Sequence, residues 1–289
     1  MLIHIRWKAV FALLVAAGLA AATAFTLPAA LRGAADENPP GQTAEVPILM
    51  YHSVCVNDKV RSAYYLSPEA FENDLKYLKD HGYTAVLISE LADWAEGRGS
   101  LPEKPVALTF DDGYYNWLTE VLPLLEQYGM KGTFNVVGAY TEAETAAADR
   151  SPAYSYLTWE EIRALSDSGL AEIGSHTWEM HEVGTRRGCK KMKGETAAHY
   201  AEALTGDLAR LQEALQKNCA LCPTTFAYPY GEISREALPV LQKLGFRAAL
   251  TCDERINRLP RDPAALFALG RINRDSRYST EAFMQKYGL

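Results

Sequence analysis

Two adjacent carboxylates, Asp111 and Asp112, close the apolar segment 106–110 and are followed by Gly113. The segment has the composition of a buried strand, and α/β enzymes hold their reactive groups at the carboxyl ends of strands. Successive side chains of an extended strand point to opposite faces, so the two aspartates are expected to point in different directions. This pattern predicts separate roles, in which one carboxylate holds a metal ion and the other moves protons.

A second strand-like segment, 171–173, leads to His176 and His181. On an α-helix, residues five positions apart lie about 140° apart, so this is not the i, i+4 pair of a helical zinc site. The spacing favours a loop that leaves a strand and curls round an ion. With Asp112 the two imidazoles make the ligand set of an open catalytic site of the zinc type. Either histidine alone would more often be an ordinary core or surface residue, so the prediction depends on all three.

A third segment, 225–231, is a short apolar run that ends in Tyr-Pro-Tyr-Gly. Together with Thr-Phe-Asp-Asp-Gly-Tyr at 109–114 and Ser-His-Thr at 175–177, it resembles the polysaccharide deacetylases, the NodB-like carbohydrate esterases, over residues 46–274. The resemblance implies metal-dependent removal of N-acetyl groups from a polymer of N-acetylglucosamine. It also implies Asp111 as the general base and one divalent metal ion as cofactor, with zinc first and cobalt, nickel or iron as alternatives.

The chain departs from the pattern of most of this family. Four residues rather than three separate the metal histidines, Ala227 stands where most members have an arginine, and no histidine follows His199. Segment 47–54 resembles instead the branch that deacetylates extracellular poly-N-acetylglucosamine, which also has the longer histidine spacing. In that branch the acid comes from the first strand, which implies His52 as the acid. Arg271 is expected to replace the missing arginine beside Asp111.

Further site residues follow partly from the resemblance and partly from positions beside the motifs. The backbone N–H of Tyr230 is expected to stabilise the oxyanion. Aromatic and proline side chains beside the motifs are expected to contact sugar rings, whereas Trp117 is expected in the core. The residues assigned to substrate binding are Tyr228, Pro229, Tyr114 and Trp178.

Strands and helices alternate along the chain, which predicts a parallel sheet. Seven or eight βα units indicate a distorted (β/α) barrel forming a single catalytic domain over 46–289, with every motif at a strand carboxyl end. The first strand is expected at 46–51 and the last at 266–272, and a long amphipathic helix is expected at about 195–217.

The amino-terminal segment predicts export. Residues 9–27 are apolar without a charge and follow Arg6 and Lys8, so 1–31 is expected to be an uncleaved membrane anchor or a cleaved signal peptide. Residues 32–45 are a polar linker. A net charge of −7 argues against nucleic acid as a partner. The expected partners are an acetylated glucosamine polymer and, if the segment is retained, the membrane; the protein is expected to be a monomer.

Some alternatives stay open at this point. The basic segment 182–193 is either a solvated loop or a rim that meets an anionic polymer. Cys219 and Cys222 are spaced for a small disulfide, and Cys55 and Cys252 could meet at one barrel end. The polymer is poly-N-acetylglucosamine, peptidoglycan or a chitin-like glycan. The competing function is a catalytically inactive glycan-binding domain on the same fold.

Overall fold

The structure is a computed structural model, and it describes residues 43–56, 62–147, 150–151 and 153–289. The predicted anchor or signal segment 1–31 and most of the predicted linker 32–45 lie outside these residues. None of the helices in the described ranges is both long enough and apolar enough to cross a membrane.

Strands and helices alternate as the sequence predicts. The strands are β1 (Thr43–Val46), β2 (Ile48–Tyr51), β3 (Ser53–Val54), β4 (Tyr65–Leu66), β5 (Thr84–Ala85), β6 (Pro105–Asp112), β7 (Gly132–Val136), β8 (Ala171–Ser175), β9 (Thr225–Ala227), β10 (Ala248–Leu250), β11 (Asn257–Pro260) and β12 (Ile272–Asn273). The α-helices are α1 (Pro68–Asp80), α2 (Ile88–Ala95), α3 (Leu122–Tyr128), α4 (Gly138–Ala146), α5 (Trp159–Asp167), α6 (Ala197–Cys219), α7 (Ala237–Lys243) and α8 (Thr280–Tyr287). A π-helical turn, Trp117–Val121, precedes α3, and 3₁₀ turns cover Pro229–Gly231 and Pro263–Ala268.

The main sheet is parallel and runs in the order β10-β9-β8-β7-β6-β2-β12, with β5 paired to one end of β6. An isolated bridge between Leu250 and Leu269 joins β10 to the segment that leads into β12. The sheet therefore curls into a distorted barrel of the predicted class. This single bridge connects its two edges, at β10 and β12. Because all its strands run in one direction, their carboxyl ends meet at one rim.

The predicted strand at 266–272 is wrong. Its first half is the 3₁₀ turn Pro263–Ala268, whose proline stands in the first turn, and only Ile272 and Asn273 pair with β2. The apolar composition of the segment indicated burial, but it did not distinguish a buried turn from a strand. An antiparallel pair of β1 and β11 beside the barrel was also not predicted.

The two faces of the sheet carry different side chains. Phe110 on β6 and Phe134 on β7 are register partners, and their rings stack at 4.5 Å on the side where the helices pack. The alternate positions of the same strands, including Thr109, Asp111 and Asn135, point the other way. This alternation places the polar residues inside the barrel and the aromatic residues under the helices.

Candidate active site

Asp111 is held by Arg271 at the carboxyl end of β6. The guanidinium donates from Nη1 to Oδ1 and from Nη2 to Oδ2, each at 2.7 Å, and its Nε donates to the Thr251 carbonyl at 2.8 Å. Arg271 is fully buried and Asp111 is 2% exposed. Burial alone would raise the pKa of Asp111, but Arg271 and His176 outweigh it and hold that pKa well below its usual range. Asp111 is therefore an ionised carboxylate, and the sequence-based pairing with Arg271 is present.

Asp112 corrects one expectation from the sequence. Both aspartates line the same cleft, and both lie close to His176 Nε2, at 3.9 Å for Asp111 Oδ2 and 3.7 Å for Asp112 Oδ1. The alternation of an extended strand fails here because Asp112 has a φ of 87°. A positive φ turns the chain sharply at the end of β6, so the second carboxylate is directed to the same side as the first.

His176 follows β8 and is 2% exposed. Its Nδ1 lies 2.8 Å from the carbonyl oxygen of Ala227, which can only accept a hydrogen bond, so the proton is on Nδ1 and Nε2 carries a lone pair. Burial lowers the pKa of His176 to about 4, which keeps the ring neutral. A neutral imidazole fixed through Nδ1 is the usual form of a metal-ligating histidine.

The loop between the two histidines is anchored to α6. Asp207 accepts hydrogen bonds from the backbone N–H groups of Trp178 and Glu179, at 2.7 and 2.9 Å. Thr177 has a φ of 74°, which turns the chain where the loop begins. The turn and the anchor let the longer histidine spacing bring His181 back to the strand ends, where its Nε2 lies 3.1 Å from Asp112 Oδ1.

The donor set fits a divalent metal ion. One ligand atom each from Asp112, His176 and His181 lies within 4.8 Å of the others. Donors about 2.0 to 2.2 Å from a tetrahedral ion lie about 3.3 to 3.6 Å apart, and the carboxylate–imidazole separations of 3.1 and 3.7 Å bracket that range. Asp112 Oδ1 is also buried without a hydrogen-bond partner among the described residues. A buried anionic oxygen that faces two imidazoles is suited to a cation.

The cleft at this rim has a volume of about 410 Å³. Tyr114 and Tyr230 line it, as does His52, and Tyr230 has a φ of 59° in the turn after β9. Further lining side chains that the sequence did not single out include Tyr64, Tyr65, Arg187 and Asn273.

His52 directly follows β2, which pairs with β6 so that Tyr51 opposes Phe110. This pairing puts His52 beside the two aspartates. Its carbonyl accepts a hydrogen bond from the Trp117 indole at 2.8 Å, its ring packs edge-on against Tyr64, and its Nδ1 is buried without a partner among the described residues. Burial lowers the pKa of His52, although the neighbouring carboxylates act in the opposite direction. Trp117 is buried, as expected, and also supports the acid candidate.

Three residues expected to bind substrate do not line the cleft. Trp178 is 6% exposed and packs tightly on Gly138, where an added Cβ would lie 2.3 Å from the indole. Tyr228 alternates away from the cleft and packs against Phe226. Pro229 is buried in contact with Gly188. These residues lie close to the motifs in the sequence, but that proximity does not determine the direction of their side chains.

The basic segment 182–193 is largely paired with acids. Arg186 binds Glu195, while Arg187 and Lys190 both bind Glu232. These contacts neutralise much of the charge of the segment, although Arg187 also lines the cleft. All five cysteines have free thiols, so neither Cys219–Cys222 nor Cys55–Cys252 is a disulfide.

Two residues near the site were missed by the sequence analysis. Asn135 donates to Asp111, and Asp207 anchors the histidine loop. A lone amide inside the predicted strand 133–137 was a usable signal, because a buried polar group needs a partner. Asp207 gave no comparable signal, since it lies on an amphipathic helix with many other charges.

The fold and the site define a parallel α/β barrel with an Asp-His-His metal-binding arrangement beside a buried carboxylate. The family described as polysaccharide deacetylase matches residues 98–249. The chain belongs to this family.

Named relatives and solved structures agree with that assignment. The poly-beta-1,6-N-acetyl-D-glucosamine N-deacetylase of Escherichia coli K12 is 29% identical over 206 residues, which cover 64% of this chain and 30% of that protein. The enzyme of the same name from Staphylococcus aureus MRSA252 is 27% identical over 66% of this chain and 62% of its own length. The chain thus spans between about a third and two thirds of these relatives.

Solved structures show the same fold. A de-N-acetylase from Aggregatibacter actinomycetemcomitans superposes with a TM-score of 0.72 at 23% identity, covering 84% of this chain and 99% of that one. IcaB from Ammonifex degensii gives a TM-score of 0.67 at 26% identity, covering 84% and 95%.

Proposed function

We propose that this protein is a metal-dependent N-deacetylase that releases acetate from N-acetylglucosamine units of a poly-β-1,6-N-acetylglucosamine polymer. The observation that carries the proposal is the buried pair of Asp111 and Arg271, which opens on the same cleft as Asp112, His176 and His181. The names of the two relatives supply the choice of polymer. Peptidoglycan and chitin-like glycans are the alternatives to be separated by experiment.

Asp112, His176 and His181 would hold the metal ion, with zinc the first choice for two imidazoles and a carboxylate. When bound, such an ion polarises the acetamide carbonyl and lowers the pKa of water. Asp111 takes the proton of the attacking water. Arg271 outweighs the effect of burial and holds the pKa of Asp111 low, so the side chain is ionised and is in the form that can take up a proton.

His52 donates the proton that the leaving amine needs. Three of the described histidines line the cleft, and His52 is the one that we do not assign to the metal ion. Burial lowers the pKa of His52, so its protonated form gives up the proton readily. The backbone N–H of Tyr230 stabilises the oxyanion, as the resemblance implies. Tyr114 is positioned to contact the sugar ring from the cleft wall.

The competing function is an inactive glycan-binding domain. This function would be favoured only if the acid or the base with its partner failed to assemble. The contacts of Asp111 with Arg271, and the place of His52 in the same cleft, support the enzyme instead.

The place of action follows from the polymer and from the sequence. An extracellular glycan requires an exported enzyme, and the apolar run 9–27 supports either anchoring on the outer face of the cytoplasmic membrane or secretion. We propose that the domain acts as a monomer.

The test is acetate release by the full chain from β-1,6-linked N-acetylglucosamine oligomers, with chitin oligomers and peptidoglycan measured in parallel. Stripping the metal with a chelator should abolish release, and adding zinc, cobalt or nickel should restore it. His181→Ala should lose the bound metal and acetate release together. His199→Ala removes an exposed histidine on α6 and should change neither. Tight metal binding without acetate release from any of the glycans would identify the binding domain instead.

A further inference from the structure

Three neighbouring strands carry one row of residues across the inside of the barrel. Asp111 on β6 is the register partner of Asn135 on β7, and Asn135 is the register partner of Gly174 on β8. Register partners in a parallel sheet point to the same face. The row therefore places the Asn135 amide directly beside Asp111, to which we assign the role of the general base. On the other side of the amide lies Gly174, which has no side chain.

Asn135 divides the two oxygens of Asp111 into different environments. The amide is fully buried, and its Nδ2 donates to Asp111 Oδ1 at 2.8 Å. The same oxygen also accepts from Arg271 Nη1 at 2.7 Å, so both of its lone pairs are used. Asp111 Oδ2 accepts from Arg271 Nη2 alone, which leaves it one lone pair on the side of His176.

Gly174 makes room for this amide. A Cβ added at position 174 would lie 2.1 Å from Asn135 Oδ1 and 3.2 Å from its Cγ. Gly174 is not among the residues with a positive φ, so the backbone alone does not require glycine here. The tightest contact of such a Cβ would be with the Asn135 side chain, ahead of the Thr225 carbonyl oxygen at 3.3 Å.

The Asn135 amide is oriented so that its NH2 group binds Asp111, while its own carbonyl oxygen is left without a hydrogen bond among the described residues. Asn135 Oδ1 is buried and has no hydrogen-bond partner among the described residues, whereas Nδ2 has one. An unsatisfied buried acceptor is destabilising, so a residue chosen only for stability would be apolar at this position. The neighbours Phe134 and Val136 are apolar.

We propose that Asn135 is a positioning residue that orients Asp111 so that Oδ2 is the oxygen that takes the proton, and that Gly174 is required because it admits the amide. The proposal rests on the proposed function, in which Asp111 is the general base. It extends that function by assigning the reactive oxygen and two residues outside the sequence motifs.

The experiment compares Asn135→Ala, Gly174→Ala and the double variant, each as the full chain. Each single variant should lower kcat by about tenfold to 10²-fold, the range expected when a reacting group is misplaced. KM and the metal content should stay as in the wild type. The double variant should be no worse than Asn135→Ala, because alanine at position 135 leaves space for the new Cβ.

Thr133→Val is the matched control. Thr133 lies on the same strand and face, is also fully buried, and contacts Glu172 instead of Asp111. Its replacement should reduce stability without lowering kcat. If kcat fell as far in Thr133→Val as in Asn135→Ala, removal of any buried polar group on β7 would have this effect, and the proposal would be overturned.

Other outcomes are also decisive. An unchanged kcat in Asn135→Ala would overturn the proposal. So would a kcat in the double variant that is lowered by the product of the two single effects, or a fall in kcat that is proportional to a loss of bound metal. If Asn135→Ala does not fold, Gly174→Ala with the same kcat, KM and metal measurements decides. Absence of acetate release from the wild type would refute the proposed function itself, whereas normal release by wild type and Asn135→Ala alike would refute this inference alone.

Discussion

Two buried aspartate–arginine pairs lie in different regions of the barrel, and their arginines flank β12. Arg271 holds Asp111 through two contacts of 2.7 Å, and Arg274 holds Asp74 through contacts of 2.7 and 3.0 Å. In both pairs the arginine is at most 2% exposed. By geometry alone the two pairs are nearly equivalent.

They differ in what surrounds the carboxylate. Asp74 on α1 accepts further hydrogen bonds from the hydroxyls of Thr280 and Tyr51, so the protein supplies all its neighbours. Asp111 lines the cleft and lies 3.9 Å from His176 Nε2. A buried ion pair is therefore not in itself a sign of catalysis, and access to the cleft distinguishes the pair that we propose to be reactive from the other one.

The largest expected effect is on the turnover of a variant of the first pair, Asp111→Asn. Asp111→Asn keeps the size of the side chain but removes its ability to take a proton. Turnover should fall by about 10² to 10⁴, the usual contribution of one general base, while the metal content is unchanged. Acetate release and metal analysis on the same preparation measure both.

Asp74→Asn is the matched control for this variant. It should lower the free energy of unfolding by about 3 kcal/mol, because Arg274 is left as a buried charge without its counter-ion. The folded fraction should keep wild-type turnover. Loss of metal in Asp111→Asn, or loss of turnover in folded Asp74→Asn, would erase the distinction between the pairs.

A smaller effect is expected at His52, to which we assign the role of the general acid. His52→Ala should fold, bind metal and lose at least about tenfold in turnover on the polymer, the lower part of what general acid catalysis provides. His81→Ala, at an exposed histidine that ends α1, is the control and should have normal turnover. If His52→Ala and His81→Ala had equal turnover, His52 would not be the residue that protonates the leaving amine.

The smallest effect concerns a third pair, in the loop beyond the metal ligands. Arg186 donates two hydrogen bonds to Glu195, and these contacts lower the pKa of Glu195 to about 2. A depressed pKa stabilises the fold above the ordinary value of about 4.5, and this stabilisation is lost as the pH falls towards 2. Glu195→Gln should therefore cost about 1 to 2 kcal/mol at pH 7, and the difference from wild type should shrink below pH 4.5. Urea unfolding at several pH values measures this, and a pH-independent difference would contradict it.

The sequence predicted the parts of the site that lie at strand ends. Asp111, Asp112 and His176 each follow an apolar run, and parallel strands bring such ends to one rim. Arg271 was predicted from the resemblance and not from its own surroundings in the chain, since its partner lies 160 positions away. The direction of Asp112 was not predictable, because a positive φ at a non-glycine residue leaves little trace in the sequence.

Side-chain direction limited the substrate-binding predictions in the same way. Tyr114 reaches the cleft, whereas Tyr228 and Trp178 turn into the core, although all three stand beside motifs. Aromatic residues are suited to either place, so the packing of neighbouring elements decides between them. The space at Gly138 that receives Trp178 is a property of the folded structure.

The pairing of β12 with β2 joins a late part of the chain to an early part and delivers Arg271 to Asp111. During synthesis, His176 and His181 are both made well before this arginine. Until the β12 segment is added, the barrel lacks an edge strand and the Asp111 carboxylate lacks its counter-charge. Contacts so distant in sequence form slowly, so closure of the barrel is expected to be a late step of folding, and Asp111 would be paired with Arg271 only at that step.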